Sequence, residues 1–168
     1  MEGSLWHDIG KPFIPSNILE KPARLNDSEY ALIKTHPELG WAFMTSILRK
    51  MNLIDCLYKE PIKTYLETIL YHQEHFNGQG YPAGLKEDEI PHLVQITTLA
   101  DVVEAITNYN RPYRDPITPL EMREFLKNHN EHFNPSLINI ILKEENIKET
   151  MFNLKLIQDK WAKDYEIN

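Results

Sequence analysis

The chain has 168 residues and a formal net charge of −7, with 42% hydrophobic and 26% charged residues. This length suits one domain with a substantial core, and the composition is that of a folded globular protein. The acidic balance argues against DNA binding, no apolar run is long enough to span a bilayer, and Met1-Glu2-Gly3-Ser4 lacks the pattern of a secretory signal.

Taken in chain order, the punctuation of the sequence predicts helices throughout. Pro12-Phe13-Ile14-Pro15 breaks the chain just after His7-Asp8, which places that pair at a helix C-terminal end. Asn26 with Glu29 is a capping-box variant opening a helix. His36 precedes Pro37, so a kink or break is expected there. The next helix runs from Pro37 to about Lys50, with Leu39, Phe43, Ile47 and Met51 expected to face inward. Pro61 fits the first turn of a helix carrying Tyr65, Ile69 and His72. Asn77-Gly78-Gln79-Gly80 forces a loop.

Pro91 starts a long helix through Asn108, with Ile96, Leu99, Val103 and Ile106 inward. Thr118 with Glu121 is a capping box, and Asn134-Pro135 opens a helix to about Leu142. The tail from Ile147 to Trp161 is amphipathic, with Met151, Leu154, Ile157 and Trp161 on one side. No alternating strand pattern appears, so the expected fold class is all-α, a compact helical bundle. Residues 1–144 are expected to form the main domain, and 145–168 a C-terminal amphipathic helix packing on it or extending it. Cys56 is the one cysteine, which excludes an internal disulfide, reads as a small core side chain, and fits a cytoplasmic location.

The chemistry is concentrated in a few stretches. They are His7-Asp8-Ile9-Gly10-Lys11, then Thr35-His36-Pro37-Glu38, then His72-Gln73-Glu74-His75-Phe76-Asn77-Gly78-Gln79-Gly80-Tyr81-Pro82, then Ala100-Asp101, and Arg111-Pro112-Tyr113-Arg114. Imidazole nitrogen combined with carboxylate oxygen suits first-row transition metals. An adjacent His-Asp pair is weak evidence alone, but here further ligand types sit on separate helical segments. A phosphodiester is a poor electrophile and water a poor nucleophile. Metal binding answers both needs by lowering the pKa of water from about 15.7 to roughly 7, and two ions about 3.5–4 Å apart can hold water and phosphate together. Lys11 is placed to neutralise phosphate charge.

In this order the motifs resemble the HD-GYP family, a branch of the HD phosphohydrolase superfamily whose members hydrolyse cyclic dinucleotides. The resemblance covers about Leu5 to Leu142. It implies an all-α HD-type bundle and a phosphodiesterase for cyclic di-GMP or a related cyclic dinucleotide, acting through a metal-bound hydroxide. The implied cofactors are two divalent transition-metal ions, iron or manganese first, with zinc, nickel or magnesium as alternatives. By resemblance, His7, Asp8 and Asp101 hold one ion, and Asp8, His36 and His72 the other, with Asp8 as the bridge. Gly80, Tyr81 and Pro82 form the family's substrate-facing turn. Arg111 and Arg114 are implied to grip the dinucleotide backbone, as planar guanidinium groups suit phosphate. His75, His92, His129 and His132 match no ligand position.

The chain departs from the family pattern in three places. Gln73 stands where the family has a second histidine directly after the first, and Glu104 where an aspartate is common. Both remain weaker metal-ligand candidates. Only six residues precede His7, where family members carry helices with further ligands. Apolar surface left exposed by that truncation implies a homo-oligomer or association with a missing N-terminal or sensor region. Two other readings stand beside the phosphodiesterase. One is a binding or signalling module of the same fold without turnover. The other is a general HD nucleotide phosphohydrolase, against which the Gly80-Tyr81-Pro82 turn argues.

Overall fold

The computed structural model describes residues 6–107, 117–143, 145–150, 152–153 and 155–156. The described residues are helical and contain no strand; one isolated antiparallel bridge joins Asn77 to Lys86. The helices are α1 (Ser16–Leu19), α2 (Asp27–Ile33), α3 (His36–Lys50), α4 (Ile62–Tyr71), α5 (His92–Thr107), α6 (Pro119–Asn128) and α7 (Pro135–Ile141). Contacts divide the chain into two compact units, Met1–Thr98 and Leu99–Asn168, the division falling within α5.

In the first unit, local chemistry sets the helix starts. The Asn26 side chain accepts from the Glu29 amide, and Glu29 accepts in turn from the Asn26 amide, which closes the capping box of α2. Helix α2 ends at Ile33, and a two-residue turn leads into α3 at His36, the break that Pro37 predicts. Helix α3 packs along α4. Ile14, Leu66, Ile69, Ile90 and Val94 form the buried apolar core.

The buried face of α3 differs from the expected one. It consists of His36, Pro37, Gly40 and Thr45, whereas Leu39 and Phe43 are 36% exposed and Met51 is 60% exposed. The reason is a close backbone approach. A Cβ on Gly10 would overlap the carbonyl oxygen of His36, and one on Gly40 would press on the Gly10 nitrogen. This glycine contact turns the small side of α3 toward the chain that carries His7 and Asp8. Phe43 packs instead against Phe13, with ring centroids 5.3 Å apart. On α5, Ile96 faces outward, against expectation, and Val94 takes the buried place.

In the second unit, Leu99, Val103, Ile106, Ile117, Met122, Leu126, Phe133, Ile138 and Ile147 make one core cluster. The Thr118–Glu121 capping box starts α6, and the Asn134 side chain caps α7 by accepting from the Ser136 amide. Residues 145–150 are helical, and Ile147 is buried in this core. Of the amphipathic tail expected from the sequence, Ile157 and Trp161 lie outside the described residues, as do the side chains of Met151 and Leu154. No helix among the described residues is long and apolar enough to cross a membrane.

Candidate metal and phosphate site

His7 and Asp8 lie in a run of turns leading into a short 3-10 helix, Lys11–Phe13. The amide of Lys11 donates to the Asp8 carbonyl at 2.9 Å, which fixes the Asp8 backbone. With Gly10 resting on the first turn of α3, the carboxylate of Asp8 reaches His36. His72, at the C-cap of α4, joins the same place. The Thr98 hydroxyl donates to the His72 carbonyl at 2.9 Å and so pins that end of α4.

The two oxygens of Asp8 face different partners. Oδ2 lies 3.3 Å from His7 Nε2 and 2.5 Å from Lys11 Nζ. Oδ1 lies 3.4 Å from His36 Nε2 and 3.6 Å from His72 Nε2. Oδ1 is fully buried and has no hydrogen-bond partner. Each of the two histidines is only 1% exposed. His36 Nδ1 lies 2.7 Å from the Ile33 carbonyl and His72 Nδ1 3.0 Å from the Ile69 carbonyl. A carbonyl can only accept, so each Nδ1 carries a proton, and in that tautomer each Nε2 presents a lone pair. Those two Nε2 atoms are 3.1 Å apart. Two nitrogen lone pairs and a carboxylate oxygen therefore converge with no proton assigned among them.

Three converging acceptors repel one another unless a cation lies among them, and backbone carbonyls that orient ligand histidines through Nδ1 are the usual support of a metal site. His7, Asp8 and His72 each offer one ligand atom within 4.8 Å of the other two, so this group could hold a metal ion. The electrostatics agree. Burial pushes the Asp8 carboxyl up, but the His7 and His72 rings and the Lys11 ammonium beside it outweigh burial and hold the group well below the usual carboxylate range. Burial pushes the His36 imidazole down, only partly opposed by the Ile33 carbonyl, which keeps the ring neutral and able to ligate.

The Gly80-Tyr81-Pro82 turn folds back onto the end of α4. The Tyr81 amide donates to the Gln73 carbonyl at 3.1 Å, and the Tyr81 hydroxyl to Gln73 Oε1 at 3.0 Å. Gln73 thus holds the tyrosine, a contact its amide makes in the position next to His72. A Cβ on Gly80 would overlap the backbone of Glu74 and His75, so only glycine permits this closeness. The Tyr81 and His36 rings meet nearly edge to face, with centroids 6.4 Å apart.

Glu74 is a site residue that no sequence motif marks. It is 1% exposed. Its Oε1 accepts from the Ala83 and Gly84 amides at 2.7 and 3.1 Å, and its Oε2 from the Leu85 amide at 3.1 Å. A buried carboxylate is thereby stabilised by backbone donors alone, and the loop after Tyr81 is tied to α4. The signal available was a carboxylate three residues before a glycine-rich loop, in a stretch whose amides lack helix or sheet partners.

His7, Asp8, Lys11, His36, His72, Gln73 and Tyr81 are thus brought together. Asp101 and Glu104 lie on α5 in the second unit, both half-buried. Arg111 and Arg114 lie outside the described residues.

Comparison with known proteins agrees with this geometry. The HD domain family model matches residues 3–137. The chain is 37% identical over 142 residues to a cyclic di-GMP phosphodiesterase of Thermotoga maritima, an alignment covering 83% of this chain and 35% of that protein. It is 33% identical over 139 residues to a cyclic di-GMP phosphodiesterase of Pseudomonas aeruginosa, covering 83% of this chain and 31% of the relative. It is 34% identical over 137 residues to 3'3'-cGAMP-specific phosphodiesterase 2 of Vibrio cholerae, covering 81% and 24%. The chain therefore spans about a third or less of the length of these relatives. An all-α fold, a histidine and aspartate cluster built by the His7-Asp8 motif, and a family match over most of the chain converge on one assignment: this chain belongs to the HD domain family.

Proposed function

We propose that this chain hydrolyses a phosphodiester bond of a cyclic dinucleotide, cyclic di-GMP foremost, using divalent transition-metal ions, iron or manganese. The observation that carries the reading is the convergence of Asp8 Oδ1 with the Nε2 atoms of His36 and His72, all three acceptors when each ring carries its proton on Nδ1. The names of the relatives support the substrate class.

His7, Asp8, His36 and His72 would hold the ions; the family resemblance adds Asp101 as a further ligand and Gln73 and Glu104 as weaker ones. Asp8 suits a bridging role because its two oxygens face two different histidine sets. A bound ion supplies Lewis acidity toward phosphate oxygen and makes water more acidic. The protein's own part is to fix orientation. The Ile33 and Ile69 carbonyls hold the two buried rings in the ligating tautomer. Lys11, paired with Asp8 at 2.5 Å, keeps the carboxylate ionised and adds positive charge where the phosphate would sit. Tyr81, held by Gln73, and Arg111 with Arg114 would orient the dinucleotide. In net terms water adds to phosphorus, the bond to the sugar oxygen breaks, that oxygen takes a proton, and the linear dinucleotide results.

A second reading, a cyclic-dinucleotide-binding module without turnover, is favoured by the Gln73 amide, which is engaged by the Tyr81 hydroxyl. Chromatography of cyclic di-GMP after anaerobic incubation with Fe²⁺ or Mn²⁺, beside Asp8→Ala, separates the two. Linear product lost in Asp8→Ala supports the hydrolase. Binding without product supports the module. A panel of mononucleotide substrates separates the hydrolase from a general HD phosphohydrolase.

A further inference from the structure

We propose that Lys34 binds a phosphate group of the substrate, held ready by two tyrosine rings. This inference rests on the phosphodiesterase reading for the identity of the substrate, and on the geometry of α2 and the Tyr81 turn for the contact itself.

Lys34 is the C-cap of α2, two residues before His36. Its Nζ lies 4.9 Å from the centroid of the Tyr81 ring and 5.6 Å from that of Tyr30. Both distances fall within the range of a cation–π contact. Tyr81 is the residue whose ring meets His36 and whose hydroxyl is bonded to Gln73. The ammonium is therefore carried on the same ring that borders the histidine cluster.

What distinguishes this lysine is how its charge is answered. Lys11 is paired with Asp8 at 2.5 Å, and Lys21 with Glu29 at 2.6 Å. The Lys34 ammonium makes no ion pair or hydrogen bond among the described residues, in a chain where 25 carboxylates outnumber 18 lysines and arginines. A π face attracts a cation without neutralising it and takes up none of its three N–H donors in a directed bond. An ammonium seated this way rests against two rings and is still available to an anion. A compact point charge of this kind suits a phosphate oxygen. The arrangement also bears on the role of Tyr81. One face of its ring is covered by Lys34, so a base cannot stack on that face while the lysine is there. On this account Tyr81 serves as the seat of a phosphate-binding cation.

A purely structural alternative is that Lys34 only complements the C-terminal dipole of α2. The two roles part in the measurement. Wild-type protein, Lys34→Met, Lys34→Arg and Tyr30→Leu are loaded with Mn²⁺. Each is assayed for cyclic di-GMP hydrolysis and, by calorimetry, for inorganic phosphate binding at several salt concentrations. Lys34→Met keeps the aliphatic stem and removes the charge. It should raise KM and weaken phosphate binding by about tenfold, as loss of one charged hydrogen bond does, and change kcat less. The salt dependence should become shallower, melting temperature should stay near wild type, and Lys34→Arg should restore most of the affinity. Tyr30→Leu, which removes one ring of the seat, should act in the same direction by a few-fold, and it carries the test if Lys34→Met does not fold. Wild-type KM and phosphate affinity in Lys34→Met would overturn the inference. Phosphate binding weakened in Lys34→Met, with no cyclic di-GMP turnover by wild type, would sustain Lys34 and overturn the phosphodiesterase. A wild-type protein that binds neither ligand would overturn both.

Discussion

Removal of the Glu74 carboxylate is the perturbation whose size the structure defines best. Three backbone amides, those of Ala83, Gly84 and Leu85, donate to it at 2.7 to 3.1 Å. Hydrogen bonds to a charged group contribute about 1.5–3 kcal/mol each, which summed naively is about 4.5–9 kcal/mol. That sum overstates the effect. Ala83 is exposed and Gly84 and Leu85 are half-buried, so water can replace part of what is lost. Burying the carboxylate also costs free energy that Glu74→Ala releases. A net destabilisation of about 3 kcal/mol is expected for Glu74→Ala. For Glu74→Gln about 1–2 kcal/mol is expected, since one oxygen still accepts while the amide group opposes the third N–H. Hydrogen exchange at the three amides reads this directly. Glu74→Ala should accelerate exchange there by about a hundredfold relative to wild type, and urea unfolding should show the same order of variants. Unchanged exchange at Ala83, Gly84 and Leu85, with unfolding within about 0.5 kcal/mol of wild type, would refute the cradle.

Further expectations follow from the same geometry. Tyr81→Phe and Gln73→Leu should each lower stability by about 1 kcal/mol, and a double-mutant cycle should give a coupling of similar size; additivity would deny their hydrogen bond. Mn²⁺ at about 100 times its dissociation constant should stabilise the wild type by about 2.7 kcal/mol, and Asp8→Ala should abolish that shift in a melting experiment. His36 is neutral in the fold because burial lowers its pKa, so the unfolded chain takes up the proton first as pH falls. Its stabilising contribution should be lost from about pH 6.5 downward, and His36→Gln should flatten the stability profile between there and about pH 4, where carboxylates begin to titrate.

Local chemistry was legible in the sequence wherever donor and acceptor lie within a few residues of each other. Asn26 with Glu29, Thr118 with Glu121, and Asn134 before Pro135 each open a helix where they predict one. The His7-Asp8, His36 and His72 positions were legible for a different reason, because an ordered motif carries them. The face of α3 was not legible. Its apolar periodicity through Leu39, Phe43 and Met51 points one way, while the contact of Gly10 with α3 turns another side inward. That contact joins segments far apart in sequence and leaves no periodic trace. Glu74 escaped notice because its partners are backbone amides, which every residue but proline has. Lys34 gave no signal because its partners are two ring faces on different segments.

The central claim is that Asp8, His36 and His72 hold a metal ion on which phosphodiester chemistry depends. The most direct measurement is anomalous diffraction at the manganese edge from crystals of the protein grown with Mn²⁺. The account predicts a peak within bonding distance of Asp8 Oδ1, His36 Nε2 and His72 Nε2, absent from Asp8→Ala crystals. Full Mn²⁺ occupancy elsewhere, with those three atoms unliganded, would contradict it.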